Sequence, residues 1–205
     1  MFDHSAEFGT GPAFNLDAPP QTREEFRARA AQWKANLRRT VQIRNASELV
    51  PHLPAPGESI HALMMGNYDF MLVLSSILRA QDQPCLHLRL STLAFNKKNV
   101  SELGRLFDEG IIQRITLLCA DYMDRMNSDI FRCAVEEIAE KRQQTVATAR
   151  THAKVSLLEY PNAYYAIEGS ANLRTNKNIE QVTVIHDRSV HDWHAEWIDW
   201  QVEHG

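Results

Sequence analysis

The sequence lacks the features that mark several large classes of protein. Its three cysteines form no Cys-x-x-Cys pair, which disfavours a disulfide framework and favours buried reduced thiols in the cytoplasm. Residues 1–20 contain acids and prolines but no basic start and no long apolar run, so neither a signal peptide nor a membrane span is predicted. The net charge of -4 gives no general attraction to nucleic acid, so recognition of a phosphate backbone requires a local basic surface.

Strand-like and helix-like segments alternate along most of the chain. The strand candidates are residues 58–66, 85–90, 111–120, 145–160, 164–172 and 179–185. The helix candidates are residues 69–80, 99–110, 128–142 and 189–205. This order predicts an α/β fold with a mixed β-sheet flanked by helices on both faces, in one domain over residues 48–205.

Residues 1–47 are predicted to be an N-terminal extension that includes a basic amphipathic helix. Within residues 22–42, the apolar side chains of Phe26, Trp33 and Leu37 fall on one helical stripe, and arginines fill much of the remaining surface. Two interpretations stay open. The helix lies along a nucleic-acid backbone, or it is an ordinary solvated helix that docks its apolar side on the domain or on a partner.

One ordered series of polar residues carries the main functional signal. The series consists of His152, Lys154, Gly169, Ser170, Asn172 and Glu180. If residues 145–160 form one extended strand, the side chains of His152 and Lys154 share a face because they are two residues apart. Gly169 allows a close approach of the backbone to a ligand.

These side chains suit a phosphoryl group. A lysine ammonium and an asparagine amide donate hydrogen bonds to phosphoryl oxygens, while an imidazole attacks phosphorus or donates a proton. Glu180 is predicted to hold the second ring nitrogen of His152 and so to fix its tautomer. His152, Lys154, Ser170, Asn172 and Glu180 are therefore the candidate catalytic residues, with Lys154, Gly169 and Asn172 also binding the substrate.

The series resembles the signature of the phospholipase D superfamily, in which His-x-Lys is followed after four residues by Asp, and later by Gly-Ser and Asn. Glu159 stands at the position of the Asp and is expected to support the site. The longer gap from Glu159 to Gly169 predicts a hairpin turn at Pro161 and Asn162. The run at residues 179–185, followed by a tryptophan-rich helix, is similar to the small single-motif endonucleases of that superfamily.

The resemblance implies a metal-independent phosphodiesterase without a cofactor, most simply a nuclease that hydrolyses DNA or RNA through a phosphohistidine on His152. Such chemistry uses two histidines, and the chain has one His-x-Lys motif, so the resemblance implies a homodimer with one composite site. Two alternatives remain: a catalytically inactive protein of the same fold that binds nucleic acid or assembles, and a phospholipid headgroup hydrolase.

Weaker signals come from the last helix. His191 and His194 are three residues apart and could bind a metal, but a surface location opposite a tryptophan stripe is the favoured interpretation. The stripe consists of Trp193, Trp197 and Trp200, and it is interpreted as a packing or dimer face.

Two pairs of residues elsewhere are also notable. Lys97 and Lys98 either contact a phosphate at a helix start or lie in a solvated loop. Met64 and Met65 are predicted to be core residues of a strand.

Overall fold

A seven-stranded mixed sheet forms the centre of the fold in the computed structural model, which describes residues 45–65, 69–174 and 178–205. The strands are β1 (Ser59–Met64), β2 (His87–Thr92), β3 (Ile115–Ala120), β4 (Thr145–Ala149), β5 (Val155–Tyr160), β6 (Ala163–Gly169) and β7 (Glu180–His186). Their order across the sheet is β1-β7-β6-β5-β2-β3-β4. β2, β3 and β4 are mutually parallel, and each of the other neighbouring pairs is antiparallel.

Helices cover both faces of this sheet. They are α1 (Phe70–Arg79), α2 (Lys97–Asp108), α3 (Tyr122–Met126), α4 (Ser128–Ala134) with a π-helical continuation at Val135–Glu140, and α5 (Arg188–His204). Leu157 and Leu158 of β5 are both fully buried, yet Leu158 packs in the cluster that contains α1 and α2, and Leu157 packs in the cluster that contains α5. Because neighbouring strand residues point to opposite faces, the predicted α/β architecture with helices on both faces is confirmed.

Local sequence explains the central elements. All residues of β2 and β3 are buried, as expected for parallel strands that are covered on both faces. The start of α2 is fixed by a reciprocal capping box in which Asn96 and Asn99 each bond the other's backbone N–H. Its end is followed by Gly110, whose φ of 73° is readily adopted only by glycine, as the sequence predicted.

Residues 145–160 do not form the single strand that the sequence predicted. β4 pairs with β3, whereas β5 pairs with β2 on the other side of that parallel pair. The chain that joins β4 to β5 must therefore pass over the ends of β3 and β2. Residues 150–154 do so, and they form no strand. The prediction was wrong because alternation of residue types gives no information on which neighbour a strand pairs with.

The interpretation of α5 was also wrong in part. His191 and His194 are only 2% and 6% exposed, whereas Trp193 and Trp200 are 64% and 55% exposed. His194 lies against the sheet because its Nε2 is 2.7 Å from a carboxylate oxygen of Glu168 on β6. His191 and His194, rather than Trp193 and Trp200, therefore face the sheet, whereas Trp197 is partly buried and packs against the apolar cluster there.

Several smaller predictions have mixed outcomes. Met64 is buried as predicted, but Met65 is 64% exposed. Cys85, Cys119 and Cys133 are free thiols, of which the first two are buried. The basic helix at residues 22–42 lies outside the described residues, so the boundary between residues 47 and 48 stays a prediction.

Membrane insertion has no support among the described helices. None of them combines the length and the apolar character that a membrane span requires.

The strand directions bring several chain segments to one edge of the sheet. Because β5 and β7 run opposite to β6, and β1, β2, β3 and β4 run parallel to β6, this edge holds the starts of β5 and β7 and the ends of the other five strands. We call it the site edge. Residues 150–154, the segment after Gly169 and the start of α2 all lie there.

Candidate active site

The His-x-Lys segment lies at the site edge, immediately before β5. The imidazole of His152 is exposed and makes no hydrogen bond with any of the described residues. The ammonium of Lys154 donates to the carbonyl oxygen of His152 at 2.7 Å. The ammonium is therefore held at the backbone of the residue whose imidazole is exposed.

Two hydroxyl groups fix the peptide between these residues. The N–H of Ala153 donates to Oγ1 of Thr151 at 3.1 Å, and Oγ of Ser91, at the end of β2, donates to the carbonyl oxygen of Ala153 at 3.2 Å. The methyl group of Ala153 packs against the apolar cluster beneath α5. We call Ser91 and Thr151 the Ala153 clamp. Residues 150–154 pair with no strand, so these hydrogen bonds take the place of the backbone hydrogen bonds that a neighbouring strand would provide.

Gly169 brings β6 close to the same segment. Its N–H donates to the carbonyl oxygen of Lys154 at 3.3 Å. A Cβ at position 169 would lie 2.3 Å from the carbonyl oxygen of Gln181 on β7, a distance that no side chain tolerates. Glycine is required here because the two backbones approach so closely.

Ser170 and Glu180 form a second polar pair at this edge. The Ser170 hydroxyl donates to the Glu180 carboxylate and accepts from the N–H of Gln181 at 3.0 Å. Glu180 is 6% exposed. The sequence predicted that Glu180 would hold the ring of His152, but within one copy of the chain the carboxylate of Glu180 accepts from the hydroxyl of Ser170.

Asn172 contributes a partly buried amide. Its Oδ1 is buried and has no hydrogen-bond partner in the described structure. The next residue, Leu173, is anchored because its carbonyl oxygen accepts from the N–H of Met71 in the first turn of α1 at 3.2 Å. A buried acceptor without a donor costs about 1–3 kcal/mol. A phosphoryl oxygen cannot supply that donor, so a contact of Asn172 with phosphate requires its NH2 group.

The polar groups assembled at the site edge are an imidazole, an ammonium, a hydroxyl and an amide. They come from the loop before β5, the end of β6 and the segment that follows it. This set can bind a tetrahedral anion and offers a nitrogen nucleophile to its central atom.

Solved structures resemble this chain, although no protein-family model and no curated protein matches it. Nuc, a phospholipase D family member from Salmonella typhimurium, aligns with a TM-score of 0.54 at 16% identity, over 72% of this chain and 97% of Nuc. NucT from Helicobacter pylori aligns with a TM-score of 0.52 at 13% identity, over 71% of this chain and 97% of NucT. The chain has the phospholipase D fold.

A third structure with this likeness is TrmBL2, an archaeal chromatin protein whose structure is described as showing a novel mode of DNA binding. It aligns with a TM-score of 0.52 at 12% identity, over 88% of this chain and 66% of TrmBL2. At these identities the likeness concerns the fold.

Within the phospholipase D fold, Glu159 does not join the other predicted site residues. It lies near the opposite end of β5, five residues after Lys154 and so about 16 Å along the strand. Its carboxylate accepts from Arg89 at 3.1 Å, and Arg89 also donates to Asp199 on α5 at 3.0 Å. Glu159 therefore links the sheet to α5, and any support that it gives to the site is indirect.

Sequence reasoning missed the Ala153 clamp. Ser91 ends a buried strand of the phospholipase D fold, and Thr151 directly precedes His152. Hydroxyl side chains at the end of a buried strand were the available signal. They could not be assigned a partner, because the contact of Ser91 with Ala153 joins residues 62 positions apart in the chain.

Proposed function

We propose that the chain is a metal-independent phosphodiesterase, and specifically a nuclease that hydrolyses DNA or RNA through a phosphohistidine intermediate at a site shared by two copies. The observation that supports this most directly is the exposed imidazole of His152. It lies beside Lys154 and has no hydrogen bond to a described residue, as a nucleophile awaiting substrate requires.

The reaction has two steps, formation of the phosphohistidine and its hydrolysis. One ring nitrogen of His152 attacks phosphorus, the bond between phosphorus and the leaving oxygen breaks, and the second copy's imidazole donates a proton to that oxygen. The second imidazole then takes a proton from water, the water oxygen attacks phosphorus, and the phosphorus–nitrogen bond breaks. His152 is thereby regenerated.

The other residues stabilise charge and hold geometry. Lys154 and the amide of Asn172 donate to phosphoryl oxygens, whose negative charge grows as the new bond forms. Ser170, held between Glu180 and the backbone of Gln181, fixes the segment that leads to Asn172. Gly169 permits that segment to lie against β5 and β7.

An exposed apolar surface beside the site supports the homodimer. Leu63, Met65 and Ile179 are 60%, 64% and 66% exposed. Because Met64 at the end of β1 pairs with Glu180 at the start of β7, Met65 lies opposite Ile179 just beyond the two strands. We call these three side chains the edge patch. Large exposed apolar groups next to an incomplete site are suited to contact with a second copy.

Cleavage of labelled DNA and RNA in excess EDTA tests the activity. Wild-type protein is expected to cut at least one of them, and His152→Ala is expected to lose at least about a thousandfold in rate. His52→Ala, which removes another exposed imidazole, serves as the matched control and should keep full activity. No cleavage by wild type, or equal cleavage by His152→Ala, would reject the proposal.

Mixed dimers test the composite site. A dimer of one wild-type and one His152→Ala chain should be inactive or stop at the covalent stage, because attack and proton donation come from different copies. Retention of about half the activity would indicate independent sites. Met65→Glu should convert dimer to monomer in light scattering and abolish cleavage, since a buried charge opposes association.

A second candidate function is DNA binding without turnover. Its support is the likeness to TrmBL2, which extends over 88% of this chain. This function predicts salt-sensitive binding of DNA, no product in any cleavage assay, and no phosphohistidine after rapid quenching.

We further propose that the protein works in a reducing compartment such as the cytoplasm. The support is that Cys85, Cys119 and Cys133 are all free thiols.

A further inference from the structure

The described lysines and arginines divide into paired and unpaired groups. Most form ion pairs with acids, namely Arg79, Arg89, Lys97, Arg105, Arg125, Lys141, Arg142 and Arg188. Those without an acidic partner in the described part of the chain are Lys98, Arg114, Arg132, Arg150, Lys154 and Arg174.

Three of the exposed unpaired cations lie in the segments that build the site. Arg150 begins the loop that leads to His152, and Arg174 lies two residues after Asn172. Lys98 lies in the first turn of α2, at the same edge. These three residues are called the flanking cations.

The start of α2 is tied to the segment that carries Asn172 through the start of α1. Asn99 of α2 donates to Asp69, the residue before α1, at 3.0 Å. Two residues further on, Met71 donates its N–H to the carbonyl oxygen of Leu173. Lys98 and Arg174 are thereby placed on neighbouring segments of one surface.

Of the acids near this edge, two pair with other cations, Asp69 accepts from the amide of Asn99, and Glu180 accepts from the hydroxyl of Ser170. Asp121 pairs with Arg125 at 3.2 Å, and Asp129 pairs with Lys97 at 3.2 Å. The flanking cations are thus left with positive charge that is not neutralised within the described chain, although the whole protein carries a net charge of -4. Exposed cations without acidic partners remain available to a bound polyanion.

One phosphodiester group does not account for these charges. Lys154 and Asn172 already serve a single phosphoryl group in the proposed reaction, which leaves Lys98, Arg150 and Arg174 for additional phosphates. A nucleic acid supplies phosphates on both sides of the scissile one, whereas a phospholipid or a small diester does not.

We propose that Lys98, Arg150 and Arg174 bind the phosphates that flank the scissile phosphodiester, so that the substrate is a polynucleotide rather than a compound with one phosphodiester. This inference rests on the proposed function for the position of the scissile group. It assigns to the flanking cations a role in affinity and none in the chemical steps.

Two substrates and a triple variant test the assignment. The variant carries Lys98→Ala, Arg150→Ala and Arg174→Ala, and the substrates are a fluorescent oligonucleotide and bis(p-nitrophenyl) phosphate, which has one phosphate. We expect the variant to bind the oligonucleotide at least about tenfold more weakly at 0.1 M salt. The slope of log affinity against log salt should fall by about 0.7 for each lost contact with a single strand. Hydrolysis of the small diester should change less than about twofold, because Lys154 and Asn172 remain.

Arg114→Ala is the matched control, because Arg114 is exposed and unpaired but lies before β3 at the opposite edge of the sheet. It should change neither measurement. An unchanged oligonucleotide affinity in the triple variant, or an equal loss in Arg114→Ala, would overturn the assignment, as would a parallel loss on both substrates.

Failure of the proposed function gives a different pattern. Wild-type protein would then hydrolyse neither substrate, while the affinity difference between wild type and the triple variant would still decide whether the flanking cations bind a polynucleotide. Arg150→Lys should retain most of the salt-dependent part of the affinity, because counterion release depends on the charge of the side chain.

Discussion

The two edges of the sheet use the same residue types in opposite ways. At the edge remote from the site, His87 is 4% exposed and its Nε2 meets the hydroxyl of Thr116 at 2.9 Å. Arg89 is held by Asp199 and Glu159. At the site edge, His152 is exposed without a hydrogen bond to a described residue, and Arg150 has no acidic partner in that part of the chain.

The electrostatic consequences differ accordingly. Burial lowers the pKa of His87 to about 3, so this ring is neutral at physiological pH. Burial opposes the charge of Arg89, but the hydrogen bonds that it donates to Asp199 and Glu159 hold its pKa above the usual value. At the remote edge Arg89 and Nε2 of His87 thus have partners within the chain, although Nδ1 of His87 is buried without one among the described residues. Residues at the site edge have charge and hydrogen-bonding capacity left for a ligand.

Gly169→Ala, which alters the site edge, is expected to have the largest effect on the cleavage rate. The added methyl group would meet the carbonyl oxygen of Gln181 at 2.3 Å, so β6 and β7 must separate and Ser170 must shift. We expect the rate of nucleic-acid cleavage to fall at least about a hundredfold, because a displacement of about 1 Å at a site has that cost.

Gly104→Ala is the control for that change. Its methyl group would meet the guanidinium of Arg142 at 2.8 Å, and a flexible side-chain end can move away. Cleavage should stay near the wild-type rate. Comparable activity in both variants would show that the close approach at Gly169 does not shape the site.

The remote edge should dominate the dependence of stability on pH. The pKa of His87 is about 3 in the folded protein against 6.5 in the unfolded chain, so the unfolded state binds the proton more tightly. Stability is then full above pH 6.5 and falls as the pH drops towards 3, by about 2 kcal/mol between pH 7 and pH 5 from this group.

Thermal or urea unfolding across that range measures the effect. His87→Gln removes the titrating group, keeps a polar side chain for Thr116 and should flatten the profile, whereas His152→Gln should leave it unchanged. A profile that is equally steep in His87→Gln would assign the acid sensitivity to other residues.

Loss of either hydrogen bond of the Ala153 clamp should have an intermediate effect on the cleavage rate. Ser91→Ala and Thr151→Val each remove one hydrogen bond to Ala153, and we expect kcat to fall about tenfold with little change in KM, because the imidazole is less well placed for attack. Thr151→Ser should restore activity.

Thr92→Val provides the matched control for the clamp. The hydroxyl of Thr92 donates to the carbonyl oxygen of Ala94 instead of to the His-x-Lys segment. Its loss should not alter kcat. If Thr92→Val were as slow as Ser91→Ala, general loosening of the end of β2 would explain both.

Arg125→Ala should have the smallest effect, both on stability and on oligonucleotide affinity. Arg125 is exposed and pairs with Asp121, and an exposed pair contributes about 0–1 kcal/mol to stability. Because its charge is already neutralised, removal should change oligonucleotide affinity much less than Arg150→Ala does. An equal loss in the two variants would show that position near the site, rather than the lack of an acidic partner, sets the affinity.

The sequence predicted the layered architecture because apolar periodicity reports burial directly. β2 and β3 are buried along their whole length, and α2 ends where Gly110 indicates. His152, Lys154, Ser170 and Asn172 lie at one edge, since they follow or precede adjacent antiparallel strands. Their catalytic roles stay predictions.

The errors concern contacts between residues distant in the chain. Glu159 was assigned to the site from spacing alone, but its partner Arg89 is 70 residues away. His191 and His194 were placed on the surface because nothing local identifies Glu168 as a partner for His194. The break at residues 150–154 depends on which strands pair, and residue type carries little information about that.

The path of residues 150–154 limits how the length of the chain can change. β4 and β5 are separated by β3 and β2, so the segment must traverse three strand spacings, about 14 Å. The six Cα–Cα steps from Ala149 to Val155 reach at most about 20 Å when fully extended, and a deletion of one residue leaves about 17 Å. A one-residue deletion would therefore force the backbone to be almost fully extended. An insertion would instead give the segment more conformations, and the imidazole of His152 would then be less firmly oriented.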